Sequence, residues 1–274
     1  MTLNVKDADA FAACETIICD LDGTLYLDNK AIKGAGKFLL RVVQSGRKLF
    51  YFTNNTSASR QSYLQKIANL GFPADDQHLI TAADCADAYL KRNELFPNIY
   101  LVGNKELTAD FESRGFVCMS TEEAATDLPK AVVLGFDTEL NYCKINTCYK
   151  LILRDIPYIA THADLLCPVT KDEFKPDIGS FIALFETATS GKRPIVVGKP
   201  TAEAVRFISE KAKTPKEKIA FIGDRLYTDI RMASSTGMKG ILVLSGETNR
   251  DMLQQSSDRP DIIIDSVADL TSHL

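Results

Sequence analysis

The 274-residue chain predicts an α/β fold: a doubly wound, mainly parallel sheet with a second α/β unit inserted near its middle. Three observations lead there. Short apolar runs alternate with stretches at helical spacing, and strand–helix–strand alternation builds parallel sheets with right-handed crossovers. The runs are continuously apolar instead of alternating, which suits strands covered on both faces. They also outnumber what one compact sheet needs, so an inserted unit is the economical explanation. At about 150 residues per domain, the length fits one to two domains.

Taken in order, Thr16-Ile17-Ile18-Cys19 is the first strand and ends at Asp20. A helix over residues 37–43 follows, stopped by Gly46 as a C-terminal glycine stops a helix. Residues 48–52 (KLFYF) form the second strand. Ser57 and Ser59 can open the next helix, with Tyr63, Leu64, Ile67 and Leu70 at helical spacing and Gly71 closing it. Residues 99–102, 131–134 and 158–160 continue the alternation. The polar segment from Cys167 to Ser180 holds Pro168, Pro176 and Gly179 and is predicted to be mostly loop. Residues 194–197, 219–222 and 240–244 read as three more buried strands, and 262–264 as the last.

Composition narrows the function. Hydrophobic residues make up 45% and charged residues 25%, ordinary for a folded globular protein. With 32 basic and 36 acidic side chains the net charge is −4, which argues against a nucleic-acid-coating surface. No apolar run is long enough to span a membrane. The seven cysteines are scattered without a C-x-x-C pair, so neither a disulfide framework nor a zinc site is expected. The first fifteen residues lack the basic region and apolar core of a signal peptide. The expected compartment is the cytoplasm.

Four short segments carry the chemistry. Asp20-Leu21-Asp22-Gly23-Thr24-Leu25 follows a buried strand, where open α/β sheets bind ligands, and Gly23 permits a sharp turn. Phe52-Thr53-Asn54-Asn55-Thr56-Ser57 passes from strand to helix, and hydroxyls with free N–H groups at a helix start cradle phosphate. In Val197-Gly198-Lys199-Pro200-Thr201 the lysine emerges at the end of an apolar run. In the segment from Phe221 to Ile230, Asp224 and Asp229 occupy the loop after another strand. Each segment alone has a plain reading as a turn, a helix cap or a solvated lysine.

Together they say more. Each falls at the carboxyl end of a predicted parallel strand, so all four can converge on one edge of one sheet. Two unit charges about 4 Å apart repel by about 4 kcal/mol at an effective dielectric of 20. Crowding Asp20, Asp22, Asp224 and Asp229 therefore requires a cation, a proton, or both. Hard carboxylate oxygens select Mg²⁺. Acids, Mg²⁺, a lysine and hydroxyls make a site for a phosphoryl group.

DLDGTL, FTNN, GKP and GDRLYTDI, in this order, resemble the four motifs of the haloacid dehalogenase superfamily. The fuller wording DLDGTLYLDN, YFTNNTS, VVGKPT and IGDRLYTDI is similar to its NagD-like, p-nitrophenylphosphatase-like branch (subclass IIA). The resemblance implies a phosphatase for small phosphomonoesters of sugar phosphate or nucleotide type. Asp20 would be the nucleophile forming an aspartyl-phosphate, and Asp22 the general acid and then base. Mg²⁺ would be held by Asp20, the backbone carbonyl of Asp22 and Asp224, with Asp229 acting through metal-bound water or orienting Lys199. Asp22, Gly23, Thr53, Asn54 and Lys199 would bind the phosphate, Asn54 through its backbone N–H. The resemblance also implies a lid, or cap, inserted after the second motif. The expected boundaries are a core over 1–82 and 193–274 and a cap over 83–192, with a homodimer through the cap among the open oligomeric states.

Substrate selection is expected in Thr161-His162-Ala163-Asp164, where relatives often show T-N-x-D; here His162 replaces Asn. Asp177 stands where relatives often have Gly in a P-G-x-G turn. Either His162 and Asp164 face the leaving group, or they satisfy backbone groups of the lid. A phosphotransferase or mutase, a receiver-like signalling domain and an idle metabolite binder are the competing functions. The acid two residues after Asp20, the motif order and the inserted segment count against the receiver, and the complete set of mechanistic residues counts against the idle binder.

Overall fold

The computed structural model describes residues 5–168 and 173–274. They fall into two compact units, one of Met1–Thr53, Tyr63–Ile80 and Val205–Leu274, the other of Asn54–Ser62 and Thr81–Ala204.

The first unit is built on a six-stranded sheet. Its strand order is Ile262–Ile264, Lys239–Val243, Ile219–Gly223, Thr16–Cys19, Lys48–Thr53 and Leu79–Thr81. The pairings from the first of these strands through the fifth are parallel. All four residues of Thr16–Cys19 and all five of Ile219–Gly223 are buried, as their continuous apolar character predicts. Burying each such aliphatic or aromatic side chain contributes about 1.5–3 kcal/mol. Register then fixes what comes next. Cys19 lies level with Ile222 on one side and Tyr51 on the other, so the chain leaves all three central strands at the same edge.

The helix Ala35–Gln44 buries Ala35, Phe38, Leu39 and Val42, an i, i+3, i+4, i+7 stripe, and Gly46 follows it at φ 77°. Ser59 opens the next helix, Arg60–Asn69, its hydroxyl accepting from the Ser62 N–H at 3.2 Å. Among the described residues no helix is long and apolar enough to cross a membrane.

The second unit holds a five-stranded sheet in the order Ile195–Val196, Tyr158–Ala160, Ala131–Leu134, Asn98–Val102 and Val117–Cys118. Its four pairings are parallel. A cluster including Tyr100, Val102, Val132, Leu134, Phe136 and Phe185 forms its core.

Two sequence expectations are corrected. The run at 194–197 is not a buried strand of the first sheet. Ile195–Val196 is an edge strand of the second, paired with Tyr158–Ala160, and Ile195 is 51% exposed. Four apolar residues in a row fit an edge strand as readily as a buried one. The segment Cys167–Ser180 is not mostly loop. Leu166–Pro168 pairs antiparallel with Phe174–Pro176, and Asp177 caps the helix Ile178–Ala188 through its side chain. Both prolines sit at strand ends, where a missing N–H is tolerated. Residues 169–172 of that segment, and the first four of the N-terminal stretch, lie outside the described residues.

Candidate active site

In the first unit, Asp20 extends the parallel ladder one residue past its strand, its N–H donating to Ile222 O at 2.8 Å. The next strand over delivers Asp224 directly after Gly223, and a short helical turn, Leu226–Ile230, returns Asp229. One carboxylate oxygen from each of Asp20, Asp224 and Asp229 lies within 4.8 Å of the other two. Their exposures are 9%, 2% and 0%. Asp224 Oδ2 accepts from the Glu247 N–H at 2.7 Å, and Oδ1 from the Thr24 hydroxyl at 3.4 Å. Asp229 Oδ2 accepts from the Arg225 N–H at 3.2 Å. Burial, with the neighbouring Asp229 adding to it, pushes the Asp224 carboxyl up to about 7, against the pull of Arg225.

Asp22 is half-exposed. Its Oδ2 accepts from the Tyr26 hydroxyl at 3.4 Å, and its Oδ1 lies 3.9 Å from Lys66 Nζ, which sits 4.0 Å over the Tyr26 ring. Lys66 and Tyr26 were not singled out from the sequence. Lys66 stands on the Arg60–Asn69 helix and only folding brings it to Asp22. Thr53 ends the Lys48–Thr53 strand and is buried.

The second unit carries Asn54, Lys199, His162 and Asp164, all buried. Lys199 follows Ile195–Val196, so the expectation that all four motifs leave one sheet does not hold for the third. Asn54 makes a two-point contact with it. Asn54 Oδ1 accepts from the Lys199 N–H at 2.9 Å, and Nδ2 donates to Lys199 O at 3.1 Å. The same Nδ2 donates to Asp164 Oδ1 at 3.1 Å. A side chain at Gly198 would meet Asn54 Oδ1 at 2.8 Å and Thr161 O at 2.5 Å, so only glycine allows this approach.

His162, Asp164 and Asp177 also offer atoms within 4.8 Å of one another. His162 Nδ1 accepts from the Asp164 N–H at 3.3 Å. Nε2 lies 3.7 Å from Asp177 Oδ1. Among the described residues Nε2 has no hydrogen-bond partner.

Comparison with known proteins agrees with the motif reading. The haloacid dehalogenase-like hydrolase family matches residues 17–117, and a second HAD-hydrolase-like model matches residues 196–270. Glycerol-3-phosphate phosphatase of Gallus gallus is 31% identical, covering 94% of this chain and 91% of its own. The chain belongs to the haloacid dehalogenase-like hydrolases. Ribonucleotide monophosphatase NagD of Escherichia coli (strain K12) is 30% identical over 93% of this chain and 98% of its own. The crystal structure of 4-nitrophenylphosphatase from Thermotoga maritima superposes with a TM-score of 0.89 at 35% identity, covering 96% of this chain and 98% of that one. This hydrolase is a NagD-like phosphatase.

Do the residues of this phosphatase fit a divalent cation? Asp20, Asp224 and Asp229 are three buried hard-oxygen donors, and burial, with Asp229 adding to it, makes the Asp224 carboxyl hold its proton unusually tightly. They fit. The glycine-bearing loop 245–247 closes around Asp224 so tightly that a Cβ on Gly246 would lie 2.0 Å from Asp224 Oδ2. Gly246→Ala is therefore expected to displace the Asp224 carboxylate. Isothermal titration should show divalent-cation affinity at least about tenfold weaker, as when groups supporting a metal ligand are lost. Unchanged affinity would mean the loop yields instead.

Proposed function

We propose that this phosphatase hydrolyses small phosphomonoesters, of sugar phosphate or nucleotide type, through a phosphorylated Asp20. The carrying observation is the buried trio Asp20, Asp224 and Asp229 at the carboxyl edge of a parallel sheet. In the proposed first step an Asp20 carboxylate oxygen forms a bond to phosphorus while the ester P–O bond breaks. Asp22 gives its proton to the leaving oxygen. In the second step water attacks phosphorus, Asp22 takes the water's proton, and the bond to Asp20 breaks. Gly23, Thr53 and the Asn54 N–H would hold the phosphoryl oxygens, and Lys199 would offset their charge. Mg²⁺, held by Asp20, the Asp22 carbonyl and Asp224 with Asp229 behind them, would neutralise nucleophile and phosphate together.

The substrate class draws on relatives whose names specify glycerol-3-phosphate, phosphoglycolate and ribonucleotides. Residues 83–192 are proposed as the cap that shapes the leaving-group side, with His162 as its candidate specificity residue. A cytoplasmic enzyme that dimerises through the cap completes the reading.

A panel of phosphate esters assayed with Mg²⁺ tests it. Hydrolysis of several small esters is expected, abolished by chelation and restored by excess Mg²⁺. Full activity in the presence of a chelator would remove the metal from the mechanism, and no turnover of any ester would remove the substrate class.

A further inference from the structure

We infer that Asp164 is a positioning residue for Lys199, acting through the side chain of Asn54. This rests on the phosphatase reading above and deepens it. The Asn54 amide is fully committed. Its oxygen accepts from the Lys199 N–H at 2.9 Å, one amide hydrogen goes to Lys199 O at 3.1 Å, and the other goes to Asp164 Oδ1 at 3.1 Å. Both main-chain groups of Lys199 are therefore gripped by one planar amide, and among the described residues Asp164 is the further anchor that sets its plane. The anchor acts as an acceptor oxygen for the second amide hydrogen.

Asp164 is itself held at several points. Its N–H donates to His162 Nδ1 at 3.3 Å, and its carbonyl accepts from the Gly179 N–H at 2.8 Å. Asp177, at the start of the same helix, lies 3.7 Å from the far side of the His162 ring. Asp164 is 5% exposed, Asn54 5% and Lys199 3%, so water competes little for these bonds. Asn54 thus has two separable functions. Its backbone N–H faces the proposed phosphate role, and its side chain fixes the peptide from which the Lys199 ammonium projects. A misplacement of about 1 Å in a catalytic group can cost about 10²-fold in rate.

The test compares Asp164→Ala with Asp164→Asn, using a small aryl phosphate whose leaving group offers no polar contacts. Asp164→Ala is expected to lower kcat by about 10- to 100-fold with KM within about threefold of wild type, because the bound phosphate is retained while the lysine is misaligned. Asp164→Asn keeps an oxygen acceptor for Asn54 Nδ2. It is expected to restore kcat to within about threefold. Melting temperatures of both variants separate lost fold from lost alignment. Asp164→Asn as inactive as Asp164→Ala would overturn the inference, since the charge itself would then be what matters. So would an unchanged kcat in Asp164→Ala with KM altered between substrates, which would place Asp164 on the leaving group. A wild-type protein inert towards every ester would instead defeat the phosphatase reading, leaving a different signature.

Discussion

Asp20→Asn is expected to lower phosphate-ester hydrolysis at least about 10³-fold, the scale on which loss of a nucleophile is felt. The substitution is nearly isosteric, so the strand end and its 2.8 Å N–H bond to Ile222 O should persist. What changes is the oxygen. A carboxylate shares a full negative charge over two oxygens, whereas the amide oxygen is a poor nucleophile and cannot form a labile acyl phosphate. The variant also removes one charge from a cluster whose members lie within 4.8 Å. At such spacing like charges repel by several kcal/mol at an effective dielectric of 20. The metal-free variant should therefore melt no lower than wild type, and in low salt higher. Steady-state turnover and thermal denaturation, run side by side, check both halves. Wild-type-like turnover would exclude Asp20 as the nucleophile. A lower melting temperature would show that the carboxylate is stabilised by partners that outweigh the repulsion.

Much of this was legible in the sequence, for reasons that can be named. Thr16–Cys19 and Ile219–Gly223 are short, almost wholly apolar and buried throughout because both sheet faces are covered, and that pattern has few other uses. Asp20 and Asp224 follow those strands directly, so finding the strands found the acids. The turn Leu226–Ile230 that returns Asp229 is local, spanning only five residues. Sheet membership was harder. Ile195–Val196 is as apolar as a central strand, yet it pairs at an edge of the second sheet, and nothing within four residues records which partner it meets. The hairpin of Leu166–Pro168 and Phe174–Pro176 was hidden by its prolines, which signal loop when counted and strand ends when placed. Long-range polar contacts were invisible for the same reason. Asn54 and Asp164 are separated by 110 residues, and Lys66 reaches Asp22 across 44. Such pairs are set by how helices and strands stack, which a one-dimensional pattern does not encode.

The second large effect is a pH dependence carried by Asp224. Its carboxyl is pushed up from an ordinary 3.8 to about 7, first by burial and then by Asp229, against Arg225 and the Glu247 N–H. In the unfolded chain the proton leaves near 3.8; in the metal-free fold it stays until about 7. Between those values the folded state binds a proton that the unfolded state has released. The contribution of this group to stability is thus complete below about pH 4 and is lost as pH rises through 7. If Asp224 ligates Mg²⁺ as proposed, the ion would reverse the balance, because a ligating carboxylate must be ionised and the ion would have to expel that proton. Mg²⁺ affinity should fall about tenfold for each pH unit below 7 and level off above it, one proton being exchanged per ion bound. The rise in melting temperature on adding Mg²⁺ should accordingly be larger at pH 8 than at pH 6. In Asp224→Asn the titrating group is gone, so the metal-free protein should lose the corresponding fall in stability between pH 5 and pH 8. Calorimetric Mg²⁺ titrations at pH 6, 7 and 8 read the coupling directly. An affinity that stays constant across that range would mean that Asp224 is already ionised in the metal-free fold. The cation holding the cluster together would then have to be supplied by the protein itself.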